Sequence, residues 1–261
     1  MINSLRTSAA GINAQQNRMD ITANNIANIN TNSFKRGRAE FSDLLYGKMA
    51  DCGRPVKLSS GDAGTPLMGA GSRVAAVDTV FEQGIINETD RPLDIAINGD
   101  GFLRVEMPDG GYAYTRDGSI QVTPEGTPVT SGGHKLSTDI TLPENYQRVA
   151  IDTNGTVMVK DADGNETEAG KILLYKFPNE TGLKHLSENL YGETAASGAA
   201  EEGTPGEDGM GELRQGKLEM SNVDLSEEME TMIEAQRALQ ASAQSLKTSD
   251  QMWNFANNLR K

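Results

Sequence analysis

The residues most able to do chemistry are few, and their spacing argues against most of it. Asp161, Asp163, Asn165 and Glu166 offer the alternating oxygens of a calcium loop. A working loop needs its sharp-turn glycine sixth and a bidentate Glu twelfth. Here Gly164 stands fourth and Ile172 takes the twelfth place, so the stretch reads as a hairpin tip. Gly99 and Gly101 begin a dinucleotide-binding pattern, but Arg104 replaces the third glycine and no helix follows. The phosphate-cradling Gly-x4-Gly-Lys-Ser/Thr pattern and the Gly-x-Ser-x-Gly elbow are both absent. His134 and His185 lie in glycine-rich or polar surroundings without a neighbouring nucleophile and read as surface residues. Cys52 is the single cysteine, which excludes an internal disulfide and a cysteine-based metal cluster. No catalytic residue, cofactor or metal is expected, although carboxylates far apart in sequence can still converge in space.

Charge narrows the partners. The formal net charge of −13 is uneven: residues 1–48 carry six Lys/Arg against three Asp/Glu, 49–216 carry thirteen against twenty-seven, and 217–261 carry five against seven. An acidic middle repels phosphates and anionic lipid, so neither nucleic acid nor a membrane surface is an expected partner. No apolar run of about 18 residues is present, so membrane insertion is not expected. The first residues are broken by Asn3, Ser4, Arg6, Thr7 and Ser8 and do not form the apolar core of a secretory signal.

The elements behind these residues change character along the chain. Between about 73 and 177 apolar residues alternate with period two, as at Leu93, Ile95 and Ile97, which suits strands. Asn98-Gly99, Asp109-Gly110, Asp117-Gly118, Asn154-Gly155 and Asp163-Gly164 punctuate them with tight-turn dipeptides. A mostly antiparallel β domain is predicted over 73–216. Its stretch 192–216, with seven glycines and several acids, reads as a long mobile loop. Residues 33–72 form an extended connector, poor in large side chains from Gly47 to Gly71.

The two ends keep a three-and-four period instead. Ile2, Leu5, Ala9, Ile12, Gln16, Met19, Ala23 and Ile26 fall on one helical seam, as do Leu225, Met229, Met232, Gln236, Leu239, Ala243, Leu246, Asp250, Trp253 and Asn257. Asp224 and Glu227 have capping-box spacing and mark a helix start. The asparagines at 24, 25, 28, 30 and 32 compete for backbone bonds and should end the first helix near Asn28. Neither stripe can bury itself, so the simplest arrangement docks one terminal helix on the other. The fold class expected is α+β: paired N- and C-terminal helices (1–32 and 217–261) forming a coiled-coil layer, with the β domain inserted between them. The expected interface residues are Ile2, Leu5, Ile12, Met19, Ile26, Phe34, Leu225, Met229, Met232, Leu239, Leu246 and Trp253.

Four blocks carry a family resemblance. Asn24-Asn25-Ile26-Ala27-Asn28-Ile29-Asn30-Thr31-Asn32-Ser33-Phe34-Lys35 resembles the amino-terminal signature of the bacterial flagellar rod and hook proteins. The stretches Leu93 to Phe102, Tyr114 to Ser119, and Ser221-Asn222-Val223 running on to Gln236-Arg237 and Met252 resemble the same family, in the expected order. Ser33 stands where the family usually has Gly, so the turn before Phe34 needs less left-handed backbone or carries some strain. Leu239 replaces a usual aromatic.

The resemblance implies a structural subunit of the basal-body rod whose terminal helices pair and polymerise into a hollow, torque-bearing tube. It implies export through the flagellar type III apparatus without a cleaved signal peptide, to a place outside the cytoplasmic membrane. The partners it implies are further copies, other rod subunits, hook protein and surrounding ring proteins. Another subunit of the rod, such as a proximal one, or of the hook is the near alternative, and a cell-wall glycan-binding or glycan-cleaving module the distant one.

Overall fold

The computed structural model describes residues 2–48, 67–138, 140–143, 146–161, 166–207 and 209–259. It is an α+β chain with a helix at each end and antiparallel strands between them. Contacts divide it into a helical unit, Met1–Ala27 with Gly37–Thr79 and Asp224–Lys261, and a β unit, Asn28–Arg36 with Val80–Val223.

In the helical unit, α1 spans Ile2–Ala27 and α2 spans Leu225–Asn258. The crowded asparagines end α1, and Asn28 then serves the turn beyond it, where Thr31 N–H donates to Asn28 O at 3.1 Å. Asp224 caps α2, its carboxylate accepting from Ser226 N–H and Glu227 N–H. An antiparallel ribbon of Gly37–Asp43 and Ser72–Thr79 completes the unit and packs on α1. Part of the expected connector is therefore a strand ladder. Its remainder, 49–66 with Cys52, lies outside the described residues.

The β unit holds a seven-stranded antiparallel sheet in the order 184–185, 190–192, 112–115, 103–106, 135–136, 128–130, 120–122. A three-stranded meander, Tyr146–Ile151, Thr156–Asp161 and Glu166–Lys171, packs its alternate residues inward. One aliphatic core gathers Ile95, Ile97, Leu103, Val105, Val157, Val159 and Leu213; an aromatic one gathers Phe102, Tyr114, Tyr175, Phe177 and Tyr191. The rings of the second meet edge to face, as Tyr114 and Phe177 do at 4.8 Å between centroids.

Asp109-Gly110 and Asn154-Gly155 turn true hairpins, joining strands that pair with each other. Asn98-Gly99 and Asp117-Gly118 do not. The strand Ile95–Asn98 pairs with Glu212–Gln215, more than a hundred residues later, and Ile86–Glu88 pairs with Lys217–Glu219. Gly118 is instead a point of close approach. Its carbonyl accepts from Ile95 N–H, and a Cβ there would lie 1.7 Å from Ile95 O.

The glycine-rich stretch 192–216, read from its composition as one long mobile loop, carries two short strands between its turns. Glu201–Gly203 and Glu212–Gln215 are strands, Leu213 is fully buried, and Gly198, Gly206 and Gly209 adopt the left-handed backbone that turns between them require. The expected hairpin tip at 162–165 lies outside the described residues.

Candidate assembly interface

The two helices meet along small and polar residues. On α1 the most buried positions are Ala14, Thr22 and Asn25; on α2 they are Glu228, Ala235 and Ser249, spaced by heptad multiples. Ser8 Oγ donates to Ser245 Oγ at 3.3 Å, Arg18 Nη2 reaches Glu234 Oε2 at 3.4 Å, and Asn25 Nδ2 donates to Glu228 Oε1 at 3.1 Å. As numbers rise on α1 they fall on α2, so the helices run antiparallel. A Cβ on Gly11 would lie 3.4 Å from Ser242 Oγ, and this smallness is what lets the backbones approach.

The bulky apolar residues lie to the side of that line. Leu5, Ile12, Met19, Ile26, Met232, Leu239 and Leu246 are half-buried, and the side chain of Ile2 lies outside the described part of the structure. Leu225, Met229 and Trp253 are exposed, as are Ile233, Met252, Phe255 and Leu259 beside them. Gln16 and Gln236, expected inside the seams, are exposed too. Periodicity located the helices correctly but did not identify which flank of the stripe takes the partner. α2 thus presents two apolar patches, one near each end, separated by exposed Arg237, Gln240, Gln244 and Lys247. Six large apolar side chains of this one helix are left exposed among the described residues.

The signature residues divide between the two units. Asn25 belongs to the helical unit, where its amide both donates to Gly37 O and accepts from Gly37 N–H at 2.9 Å. Asn24 and Arg237 are exposed, Asn28 and Thr31 half-buried. In the β unit Phe34, Lys35, Ser221 and Val223 are buried. Asn222 Oδ1 accepts from Arg36 N–H at 2.8 Å, while its Nδ2 donates to Val80 O and Glu82 O. Ser33 keeps a left-handed backbone at φ 55° and donates its hydroxyl to Arg116 O at 2.8 Å, so the turn is strained and the serine compensates.

Lys35 leads to a group the sequence did not announce. Its ammonium donates to Glu219 Oε1 at 2.6 Å and to Glu82 O at 2.7 Å. Arg116 Nε donates to Glu219 Oε2 at 3.0 Å, and its other nitrogens reach Gly99 O and Gly101 O. All three side chains are almost completely shielded from solvent. Burial pushes the Lys35 ammonium below its ordinary value, and Arg116 pushes the same way against the attraction of Glu219. Burial alone would raise the Glu219 carboxyl; Arg116, Lys35 and the Gly84 N–H together hold it below the usual carboxylate range. Only the motif blocks hinted at this, since a lone Lys and a lone Glu 184 positions apart carry no periodic signal.

Catalytic geometry does not emerge. Among the described residues no three His, Cys, Asp or Glu could hold a metal, and no helix is long and apolar enough to cross a membrane. His134 pairs with Glu188 at 3.2 Å, and His185 meets the Tyr191 ring edge-on.

Comparison with known proteins agrees with this architecture. Residues 5–35 match the family described as flagella basal body rod protein, 96–159 the flagellar hook protein FlgE/F/G D1 domain, and 214–259 the flagellar basal body rod FlgEFG protein C-terminal. The chain is 44% identical to the flagellar basal-body rod protein FlgG of Borreliella burgdorferi over 100% of both chains. It is 41% identical to FlgG of Caulobacter vibrioides over 98% of each, and 37% identical to FlgG of Bacillus subtilis over 100% of each. With buried ladders, a polar-seamed helix pair and relatives matched end to end, the chain belongs to the flagellar basal-body rod and hook family, whose members are structural subunits and not enzymes.

Proposed function

We propose that the chain is the distal-rod subunit, polymerising head to tail into a hollow shaft that carries torque from motor to hook. The observation that carries this reading is the set of large apolar side chains on α2 that the described residues leave exposed. In this reading α1 and α2 form an antiparallel coiled coil, and neighbouring copies cover Leu225, Met229, Ile233, Met252, Trp253 and Phe255. Leu5, Ile12, Met19, Ile26, Met232, Leu239 and Leu246 flank that contact. The α2 face of one copy meets a different surface of the next, and a heterologous contact of this kind propagates as an open helical filament. Stiffness then comes from many repeated contacts.

The subunit takes its place outside the cytoplasmic membrane after passage through the type III export apparatus, among other rod subunits, hook protein and ring proteins. The test is immunogold electron microscopy of isolated basal bodies carrying an epitope-tagged chain. Label along the distal rod supports the reading; label confined to the proximal rod or the hook overturns the distal assignment. A subunit with Leu239→Asp or Leu246→Asp should still fold its β unit and fail to build a rod.

A further inference from the structure

The first and last segments of the β unit meet at one buried point. Lys35 arrives from Asn28–Arg36, Glu219 from the final strand Lys217–Glu219, and Arg116 from the middle of the chain. Backbone bonds join the same segments: Ser33 N–H donates to Glu219 O at 2.9 Å, and Asn222 N–H to Phe34 O at 3.3 Å. Gly84 N–H adds a third donor to the Glu219 carboxylate.

The charges make this junction one-sided. With Glu219 in place, two buried cations share one carboxylate and the carbonyls of Glu82, Gly99 and Gly101. Without it, Lys35 and Arg116 are buried cations that keep only the field of Glu180, which no hydrogen bond ties to either, an arrangement costlier than leaving the region open to water.

We propose that Lys35, Arg116 and Glu219 form a folding latch that holds the β unit open until residues 217–223 are available to close it. The core strands Ile95–Asn98 and Ile86–Glu88 share this dependence, because their ladder partners are Glu212–Gln215 and Lys217–Glu219. A chain emerging amino end first therefore cannot complete these two ladders until all but its last helix is free. That suits a subunit threaded through a narrow channel, and this setting alone rests on the function proposed above. The latch itself is a property of the isolated protein, so its failure leaves the rod assignment standing.

Native-state hydrogen exchange on the full chain tests it. The latch requires amides of 33–36, 84–86 and 217–222 to open in one step with the core amides of Ile97, Val105 and Val159. Glu219→Gln should raise exchange at all of them together, by about a hundredfold or more. Adding Lys35→Met to that variant, which removes one stranded cation, should restore part of the protection. If the Glu219→Gln chain does not fold, exchange in the unaltered chain and in Lys35→Met alone still decides. Opening of 217–222 while Ile97, Val105 and Val159 stay protected, or a Glu219→Gln effect confined to its neighbours, overturns the latch.

Discussion

Replacing Met229 and Ile233 together by alanine isolates the outward face of α2. The two side chains are 51% and 48% exposed, so about half of each remains to be buried by a neighbour. Full burial of such a side chain is worth roughly 1.5–3 kcal/mol, which leaves about 0.7–1.5 kcal/mol for each half and about 1.5–3 kcal/mol for the pair. At about 1.4 kcal/mol per tenfold, the critical concentration for polymerisation should rise by about 10- to 150-fold. The folded monomer should be nearly indifferent, within about 0.5 kcal/mol, because neither residue lies on the buried seam and alanine is the better helix former. The assay is sedimentation of purified subunit across a concentration series, with circular dichroism confirming equal helix content. An unchanged critical concentration with an intact helix would refute the assignment of this face as the polymer contact.

Other perturbations act on separate parts of the molecule. Because the folded Glu219 carboxyl is held below its unfolded value of 4.5, its contribution to stability is present above that value and lost as pH falls through the lower folded one. Acid titration of the β unit, followed by aromatic near-ultraviolet dichroism, should lose this component in Glu219→Gln and show a flatter acid limb. Glu180, whose carboxyl burial pushes upward, acts in the opposite sense and is common to both proteins. Gly118→Ala drives a methyl into Ile95 O and should cost the β unit more than about 3 kcal/mol, read by chemical denaturation. Asn25→Ala strands the buried Glu228 contact and Gly37 N–H and should destabilise the helical unit by about 1–3 kcal/mol in thermal melts. Arg18→Ala removes only a half-exposed ion pair and should cost about 1 kcal/mol or less in the same melts.

The helices were legible because a three-and-four period sustained over 26 and 34 residues suits a helix and not a strand, and because Asp224 and the asparagine cluster mark their ends. Hairpins built on neighbouring segments, at Asp109-Gly110 and Asn154-Gly155, were legible for a similar reason: the turn chemistry lies between the strands it joins. The ladder between Ile95–Asn98 and Glu212–Gln215 was not, since nothing local to Leu213 names a partner so far away. Composition misled at 192–216, where glycines serve tight turns between short strands. The pairing line of the helices was misread for a physical reason. Large apolar residues dominate any periodic pattern, yet Gly11, Ala14, Ala235 and Ser249 permit the closer approach. The Lys35–Glu219–Arg116 group was invisible, because charge complementarity across 184 positions has no period.

If the α2 face stays uncovered in the monomer and is closed by further copies, α1 and α2 must exchange their amide hydrogens differently in the two states. The most direct measurement compares that exchange between dilute monomer and sedimented polymer of the same protein. Exchange through 225–258 should be fast in the monomer and slow strongly on polymerisation, with amides of the β-unit core slow in both. Equal protection of α2 in the two states would contradict this and move the assembly contact elsewhere on the chain.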